Sequence, residues 1–578
     1  MTKAPKARGS QSPPLARRSA GRRKNSPDPG SDSLSRASLA WLFVIALALR
    51  IAHILAMRRS PYFNHPIIDA ATYHEAARSI AAGHGHPDAL FWQPPGYSYF
   101  LALLYTITGP TDLLTPRIVQ AFLGAAAAVL TAWIGARSFG SRVGLAAGFI
   151  VAFYGTLIHF DAELLGVSLT VALQLLAVAL AVAAGGASRP APLWLGAGFT
   201  AGIASLVTAP TLLLVAAFAA FARRHAHLVL VAAALAIAPV TIRNAVKGGE
   251  VVLISTNAGI NLYLGNNPRY DETVQIRPDR HWLDLTKEPW DHGIRTKSGG
   301  SNYFAGRALE WARTDPVGFL RLQVKKVRLL LGGDEIFRNH AIYPAREYSP
   351  VLAALLWKVP GLAFPFGLLA PLAALGLAVG WRRAPLLASI VVLYAVSVIA
   401  FFVVARYRVP MVPYLAIFAA KGVRWFASAA PARKAAAVGV AGLYAVCNLG
   451  QGTMSARMNP DAEYSLAAQL HAERRLDEAE AHYKNALADR PDYLEAWVNL
   501  GVLQASRGRS VEAARAFEQA LRVDPRNATA LIDLAALRER EHRWEEAIEL
   551  YRRAAEVDPR DPLPAKRIAR LMENSPGK

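Results

Sequence analysis

The chain has one cysteine, Cys447, and it sits inside an apolar run. That excludes a disulfide within the chain and a cysteine-built metal site. Charge is sparse at 18%, and acidic charge is the scarcer sign, with 42 Asp and Glu against 64 Lys and Arg. In a water-soluble protein the resulting +22 would point to a nucleic-acid partner. Here much of the surplus lies in residues 1–36 and in short breaks such as Arg223-Arg224 and Arg382-Arg383. That is how charge orients membrane helices, so no nucleic acid is expected. The apolar runs do not alternate with polar residues, which excludes a transmembrane barrel. A cleavable leader is not expected either. The first apolar run, 39–57, contains Arg50 and is followed by Arg58-Arg59 in place of a small-residue cleavage site. It reads as a retained span.

What is present is hydrophobic length. Apolar residues make up 53% of the 578 and concentrate between 39 and 449. Leu/Ala/Val-rich runs of roughly 18 or more recur there, enough for a helix to cross a ~30 Å hydrocarbon core. The predicted fold is all-α, a polytopic bundle of about eleven spans: 39–57, 113–136, 141–160, 163–184, 192–207, 210–222, 226–243, 361–380, 385–404, 410–427 and 435–452. The fifth and sixth are short and are separated by Thr208-Ala209-Pro210, where the missing proline N–H invites a break. Read as a hairpin, this stretch puts Arg137/Arg142, Arg189, Arg223/Arg224, Arg382/Arg383 and Lys421/Arg424/Arg433/Lys434 on the side of the basic N-terminal tail. Read as one kinked span, it would move Arg382/Arg383 outside. The hairpin is preferred, giving a multi-pass inner-membrane protein with a cytoplasmic N-terminus. Two long loops, about 58–112 and 244–360, and everything beyond 452 then face outward. The tail 1–37 is rich in Pro, Ser, Gly and Arg and is expected to be disordered. The membrane domain is 38–453.

Beyond it the sequence repeats every 34 residues. Trp497, Leu500, Gly501, Ala513, Phe517, Ala520 and Pro525 recur as Leu531, Leu534, Ala535, Ala547, Tyr551, Ala554 and Pro559. One period earlier stand Glu463, Leu466, Ala467, Ala479, Tyr483, Ala486 and Pro491. Small residues let two helices approach, large ones fill the space between units, and the proline ends the second helix. This matches the tetratricopeptide pattern. Three repeats over 460–561 form an α-solenoid suited to a protein partner, followed by a tail at 562–578.

The first outer loop carries the residues with chemical promise. His65-Pro66-Ile67-Ile68-Asp69-Ala70-Ala71-Thr72-Tyr73 is followed by Gly83 and by Phe91-Trp92-Gln93-Pro94-Pro95-Gly96-Tyr97. Asp69 and Tyr73 are four apart and share a helix face. The common use of such an aspartate is as an N-cap. Asp-x-x-x-Tyr, a helix ending at glycine and Pro-Pro-x-Tyr leading into a span, in this loop, resembles the GT-C superfamily of membrane glycosyltransferases. The resemblance is closest to the bacterial relatives of the protein O-mannosyltransferases and of the lipid A aminoarabinose transferase. Pro239-x-x-x-Arg243-Asn244, Gly259-x-Asn261, Gly265-Asn266-Asn267-Pro268 and Arg406-Tyr407-Arg408-x-Pro410 extend it over roughly 40–430. Thr208-Ala209-Pro210 departs from it, because many relatives carry a basic residue in that turn.

The resemblance implies a hexosyl- or pentosyltransferase that takes a sugar from a polyprenyl-phosphate donor in the membrane. The acceptor would be a protein, a lipid or an envelope glycan on the extracytoplasmic side. Asp69 inherits the role of catalytic base or metal ligand, and Tyr73 that of lining the sugar site. Arg50, Arg243, Arg406 and Arg408, with Asn244, are the candidates for holding substrate. A guanidinium at headgroup depth either forks onto a phosphate or snorkels to the lipid headgroups. Asp161 and Glu163, at the second outer turn, could join Asp69 around a divalent cation, or be solvated loop acids. His65, His74, His84 and His86 show no zinc spacing. The competing class is a non-enzymatic membrane-anchored tetratricopeptide scaffold for envelope assembly. A transporter is disfavoured because the outer loops, not the spans, hold the polar clusters. An enzyme requires Asp69 to face a cavity shared with the arginines, and a scaffold does not.

Overall fold

The computed structural model describes residues 34–274, 280–338, 341–428, 432–449 and 459–573. The tail expected over 1–37 lies outside these residues up to position 33, and Arg36 and Ala37 already belong to the first helix. That helix, α1 (Arg36–Met57), is opened by Ser35, whose hydroxyl accepts the Ser38 N–H at 3.0 Å. The first long loop folds as α2 (Asp69–Ala81) and α3 (Gly96–Thr108). The apolar bundle continues with α4 (Leu114–Phe139), α5 (Ser141–Ala152), α6 (Gly155–Asp161), α7 (Val167–Ala184), α8 (Ala191–Val207), α9 (Leu212–Ala222) and α10 (Ala226–Gly248). The second long loop holds α11 (Ala258–Gly265), α12 (Tyr270–Thr273), α13 (Arg280–Asp291), α14 (Lys297–Thr314), α15 (Pro316–Leu331) and α16 (Pro350–Leu355). A small antiparallel hairpin, β1 (Trp357–Val359) with β2 (Leu362–Phe364), closes it. The chain returns to the bundle with α17 (Phe366–Gly380), α18 (Pro385–Ala400), α19 (Ala405–Arg408), α20 (Val412–Ser428) and α21 (Arg433–Asn448).

The predicted spans map onto α1, α4, α5 with α6, α7, α8, α9, α10, α17, α18, α20 and α21, but the span expected at 361–380 begins in the hairpin at β2, and residues 450–452 of the last lie outside the described residues. Among the described residues, four stretches are helical, long and apolar enough to cross a bilayer: Arg36–Met57, Leu114–Phe139, Val167–Ala184 and Ala209–Gly248. A fifth is the α5–α6 pair, bent by 56°. The helices α8, α17 and α18 are apolar but shorter. Among the described residues the apolar helices are interrupted at two further places. Thr208 is extended between α8 and a 3-10 turn at Ala209–Thr211. Arg223 sits at φ 50° between α9 and α10.

Small residues let the bundle close. A Cβ on Gly144 of α5 would lie 2.3 Å from the Ala132 carbonyl oxygen of α4. One on Gly422 of α20 would lie 2.6 Å from the Leu372 oxygen of α17. Backbones at that distance exploit the close packing that drives helix association where the surrounding medium is itself apolar.

The repeats form three helix pairs: α22 (Pro460–Ala472) with α23 (Leu476–Asp489), α24 (Leu494–Ser506) with α25 (Ser510–Val523), and α26 (Ala528–Arg540) with α27 (Trp544–Val557). The register residues Leu466, Ala467, Tyr483, Phe517, Leu531 and Tyr551 are buried. Gly501 faces Phe517 so closely that a Cβ would meet its ring at 2.5 Å. The segment read as a tail from 562 is instead helical through Glu573. This helix, α28 (Pro562–Glu573), packs on α27, and its Leu571 closes the last apolar core. The first repeat shares its core with Tyr62, Ile67 and Ala341 of the two long loops, so the array lies on the same face of the protein as those loops.

Candidate active site

Asp69 is the first residue of α2, and the cap position belongs to Ile68. The side chain does not serve simply as an N-cap. Its Oδ2 accepts from Arg406 Nη1 at 2.5 Å and its Oδ1 from Gln93 Nε2 at 3.2 Å. Arg406 comes from the short α19 between two bundle helices, and its Nη2 donates to the Tyr407 hydroxyl at 3.0 Å. Ile68 has φ 52° and ψ −116°. For a β-branched residue this is an outlier of the kind that functional turns hold.

Asp69, Arg406 and Tyr73 line one cavity of about 560 Å³. Tyr73, one turn along α2, meets Tyr97 edge to face, with ring centroids 5.3 Å apart. Burial, and then the Asp69 charge, push its hydroxyl above the usual value, so it stays protonated as a donor. Arg338, from the second long loop, adds another guanidinium, packed over Phe402 at 4.6 Å. Burial, with Arg406 adding to it, holds Arg338 below its usual value, yet an arginine remains charged. The lining thus carries two cations and one carboxylate, a net charge of +1. Gln93, Asn257, Asn261 and the Trp92–Trp282 pair also border it, and Leu212, Val398 and Phe402 are among its apolar lining. Arg406 Nε and Gln93 Oε1 are buried with no hydrogen-bond partner among the described residues. Buried polar atoms left so are unusual in folded proteins.

The remaining sequence candidates are placed elsewhere, and none of them lines this cavity. Arg50 is fully buried in α1, where it pairs with Asp161 at 2.6 Å. It also donates to the Ala46 and Ala152 carbonyls at 3.0 and 3.3 Å. Ala152 ends α5, so Arg50 satisfies carbonyl oxygen at the bend instead of meeting a donor phosphate. Arg243 donates to the Asp88 and Ala89 carbonyls at 2.6 and 3.1 Å and covers the Phe91 ring. Asn244 is buried and donates to Val252 and Ile254 carbonyls at 3.0 and 3.1 Å. Together they stitch the first long loop to the chain leaving α10. Arg408, two residues from Arg406, turns into the protein and pairs with the buried Glu335 at 2.9 Å.

The proposed cation set does not assemble. Asp69 is held by Arg406 and Asp161 by Arg50, while Glu163 offers its backbone carbonyl to Gln120 at 2.7 Å. Among the described residues no three His, Cys, Asp or Glu side chains gather as metal ligands. Of the histidines, His65 meets Glu473, just after α22, and His74 meets the Tyr105 hydroxyl.

The Arg50–Asp161 pair depends on a glycine. A Cβ on Gly124 of α4 would lie 2.2 Å from Asp161 Oδ2 and 2.4 Å from Arg50 Nε. Gly124→Ala should therefore destabilise the bundle by about 1–3 kcal/mol, the usual cost of overpacking. Thermal unfolding in detergent reads this, and an unchanged Tm would contradict the packing.

Arg338 carried no sequence signal, since it lies in a long loop without periodicity. Gln93 and Asn261 stood inside the loop motifs, but nothing there marked them as facing the cavity.

No curated protein matches the chain. Solved structures similar to it include the apo oligosaccharyltransferase of Archaeoglobus fulgidus, 13% identical at a TM-score of 0.42, over 80% of this chain and 58% of that one. The same archaeal enzyme with an inhibitory peptide and dolichol-phosphate aligns at 14% identity and a TM-score of 0.39. ArnT of Cupriavidus metallidurans bound to undecaprenyl phosphate aligns at 15% and 0.31, over 68% of this chain and 79% of that one. The chain spans less than two thirds of the archaeal enzyme. These likenesses carry no weight for the chemistry, which rests on the cavity. Family descriptions of the tetratricopeptide repeat match residues 470–517 and 505–571, and the C-terminal region is a tetratricopeptide array.

Proposed function

We propose that the chain is an integral membrane glycosyltransferase that moves a sugar from a polyprenyl-phosphate donor to an acceptor on the extracytoplasmic side. The observation that carries this reading is one cavity lined by a carboxylate, two guanidiniums and apolar side chains. A phosphate with a lipid tail needs both kinds of surface. Arg406 and Arg338 would take the phosphate, Arg406 by turning Nη1 from Asp69 and Nη2 from the Tyr407 hydroxyl to fork onto the phosphate oxygens. Asp69, released from its partner, would accept the proton of the acceptor hydroxyl. The acceptor oxygen bonds to the anomeric carbon as the bond to the phosphate oxygen breaks. The phosphate departs with that electron pair, and the arginines stabilise its charge. A scaffold has no need of such a cavity. The mechanism uses no metal step.

The outward orientation is supported by position. Thr208 and Pro210 line the same cavity as Asp69. The turn between the fifth and sixth spans is therefore on the face of the first long loop, as a hairpin there requires. The array shares that face, where a protein or glycan acceptor would be met.

Arg406→Lys keeps a positive charge but loses the fork. It should raise the apparent KM for the lipid-linked sugar about tenfold, the loss of one charge-assisted hydrogen bond. Arg408→Lys should leave that KM unchanged, because Arg408 faces Glu335. Equal KM values for wild type and Arg406→Lys would remove Arg406 from the donor site.

A further inference from the structure

The turn that carries Asp69 is held from outside by the array. Gln469 of α22, half-buried, donates its side-chain amide to the Pro66 carbonyl at 2.7 Å. His65 is buried and bridges the Pro61 carbonyl, 2.6 Å from Nδ1, and the Glu473 carboxylate, 3.0 Å from Nε2. Tyr62 donates its hydroxyl to Glu463 at 3.3 Å. Ile67 is buried in one apolar core with Leu466, Leu470 and Tyr483 of the first repeat, and Ile68 packs against that core. The contacts therefore run from residue 62 to residue 68 and stop next to Asp69. Ile68 also borders the cavity and holds the positive-φ backbone described above. Such a conformation persists at a β-branched residue only where its surroundings over-determine it. Here those surroundings include the first repeat.

We propose that the first tetratricopeptide repeat is a positioning element of the reaction centre. Gln469 and Glu473 clamp residues 65–68 and thereby set Asp69 where Arg406 meets it. This rests on Asp69 as the reacting carboxylate. An array that only recruited a partner would hang from α21 and need no contact with this turn. As a clamp, it makes turnover sensitive to the state of the array. Gln469 and Glu473 bond to Pro66 and His65, in the turn before the carboxylate, and not to the arginines, which come from α19 and the second long loop. Its loss should lower kcat and spare the donor KM.

The test uses the full chain in lipid nanodiscs, with Gln469→Ala and Gln469→Glu. The second keeps the side-chain size and cannot donate to the Pro66 carbonyl when ionised. Arg567→Ala, which removes a contact with Glu539 at the far end of the array, is the control. Hydrogen exchange of the backbone amides of residues 67–73 should be about tenfold faster in both Gln469 variants and unchanged in the control. With an undecaprenyl-phosphate monosaccharide that the wild type consumes, kcat should fall about tenfold, as expected for a small misplacement of a reacting group, and KM should stay within twofold. Unchanged exchange in both Gln469 variants overturns the clamp. Faster exchange with unchanged kcat overturns its positioning role. A wild type that consumes no such donor refutes the Asp69 chemistry itself, while the exchange measurement still judges the clamp.

Discussion

Asp69→Asn should lower turnover about a thousandfold, within the range that one general base contributes, while the protein still inserts and folds. Ile68, not Asp69, holds the cap position of α2, and asparagine has nearly the shape of aspartate. It has no basic oxygen for the acceptor proton and no charge for Arg406. The stability cost should be small because the pair borders the cavity, with 16% and 19% of the two side chains exposed, and water can replace the lost partner. Donor turnover and thermal unfolding, measured side by side, separate the two effects. Activity near wild type would show that Asp69 only shapes the turn.

The largest stability effect is expected at Arg50. Its side chain is fully buried and that of Asp161 is 3% exposed. Arg50→Ala would leave a carboxylate unpaired inside the bundle, and breaking such a pair costs about 3–5 kcal/mol. It would also strip the guanidinium from the Ala46 and Ala152 carbonyls. Unfolding in detergent, titrated with denaturant, should show a loss of that size. The double variant Arg50→Leu/Asp161→Leu should recover much of it, because two apolar side chains leave no buried charge. If Arg50 instead held donor phosphate, Arg50→Ala would fold normally and show a raised donor KM.

The bundle and the array were legible in the sequence because each rests on a repeated pattern. Apolar length marks a span, and the 34-residue period marks the helix pairs whose Leu466, Phe517 and Tyr551 are buried. Asp69 and Tyr73 were legible as a pair because four residues make one helical turn, and the cavity receives both. The arginines were not. Arg406 and Arg408 are two residues apart on a four-residue helix, and one faces the cavity while the other faces Glu335. A sequence gives a guanidinium at a span end but not the side to which it turns. Arg50, Arg243 and Asn244 fall to the same ambiguity, since a buried polar side chain serves backbone carbonyls as readily as a ligand. The helix α3 was hidden inside a presumed loop, because its thirteen residues are too few for a span. The clamp on Asp69 was also hidden. Gln469 and Pro66 are separated by about four hundred residues of chain, and no local pattern links them.

Use of a lipid-linked sugar is tested most directly by the polyprenyl lipids of a strain lacking the protein. One polyprenyl-phosphate sugar should accumulate in that strain. It should return to the starting level when the wild-type chain is restored, and remain high when Asp69→Asn is restored at equal abundance. A strain whose polyprenyl-phosphate sugars are unchanged, or one in which Asp69→Asn clears the accumulated donor as well as the wild type does, would contradict the proposed chemistry.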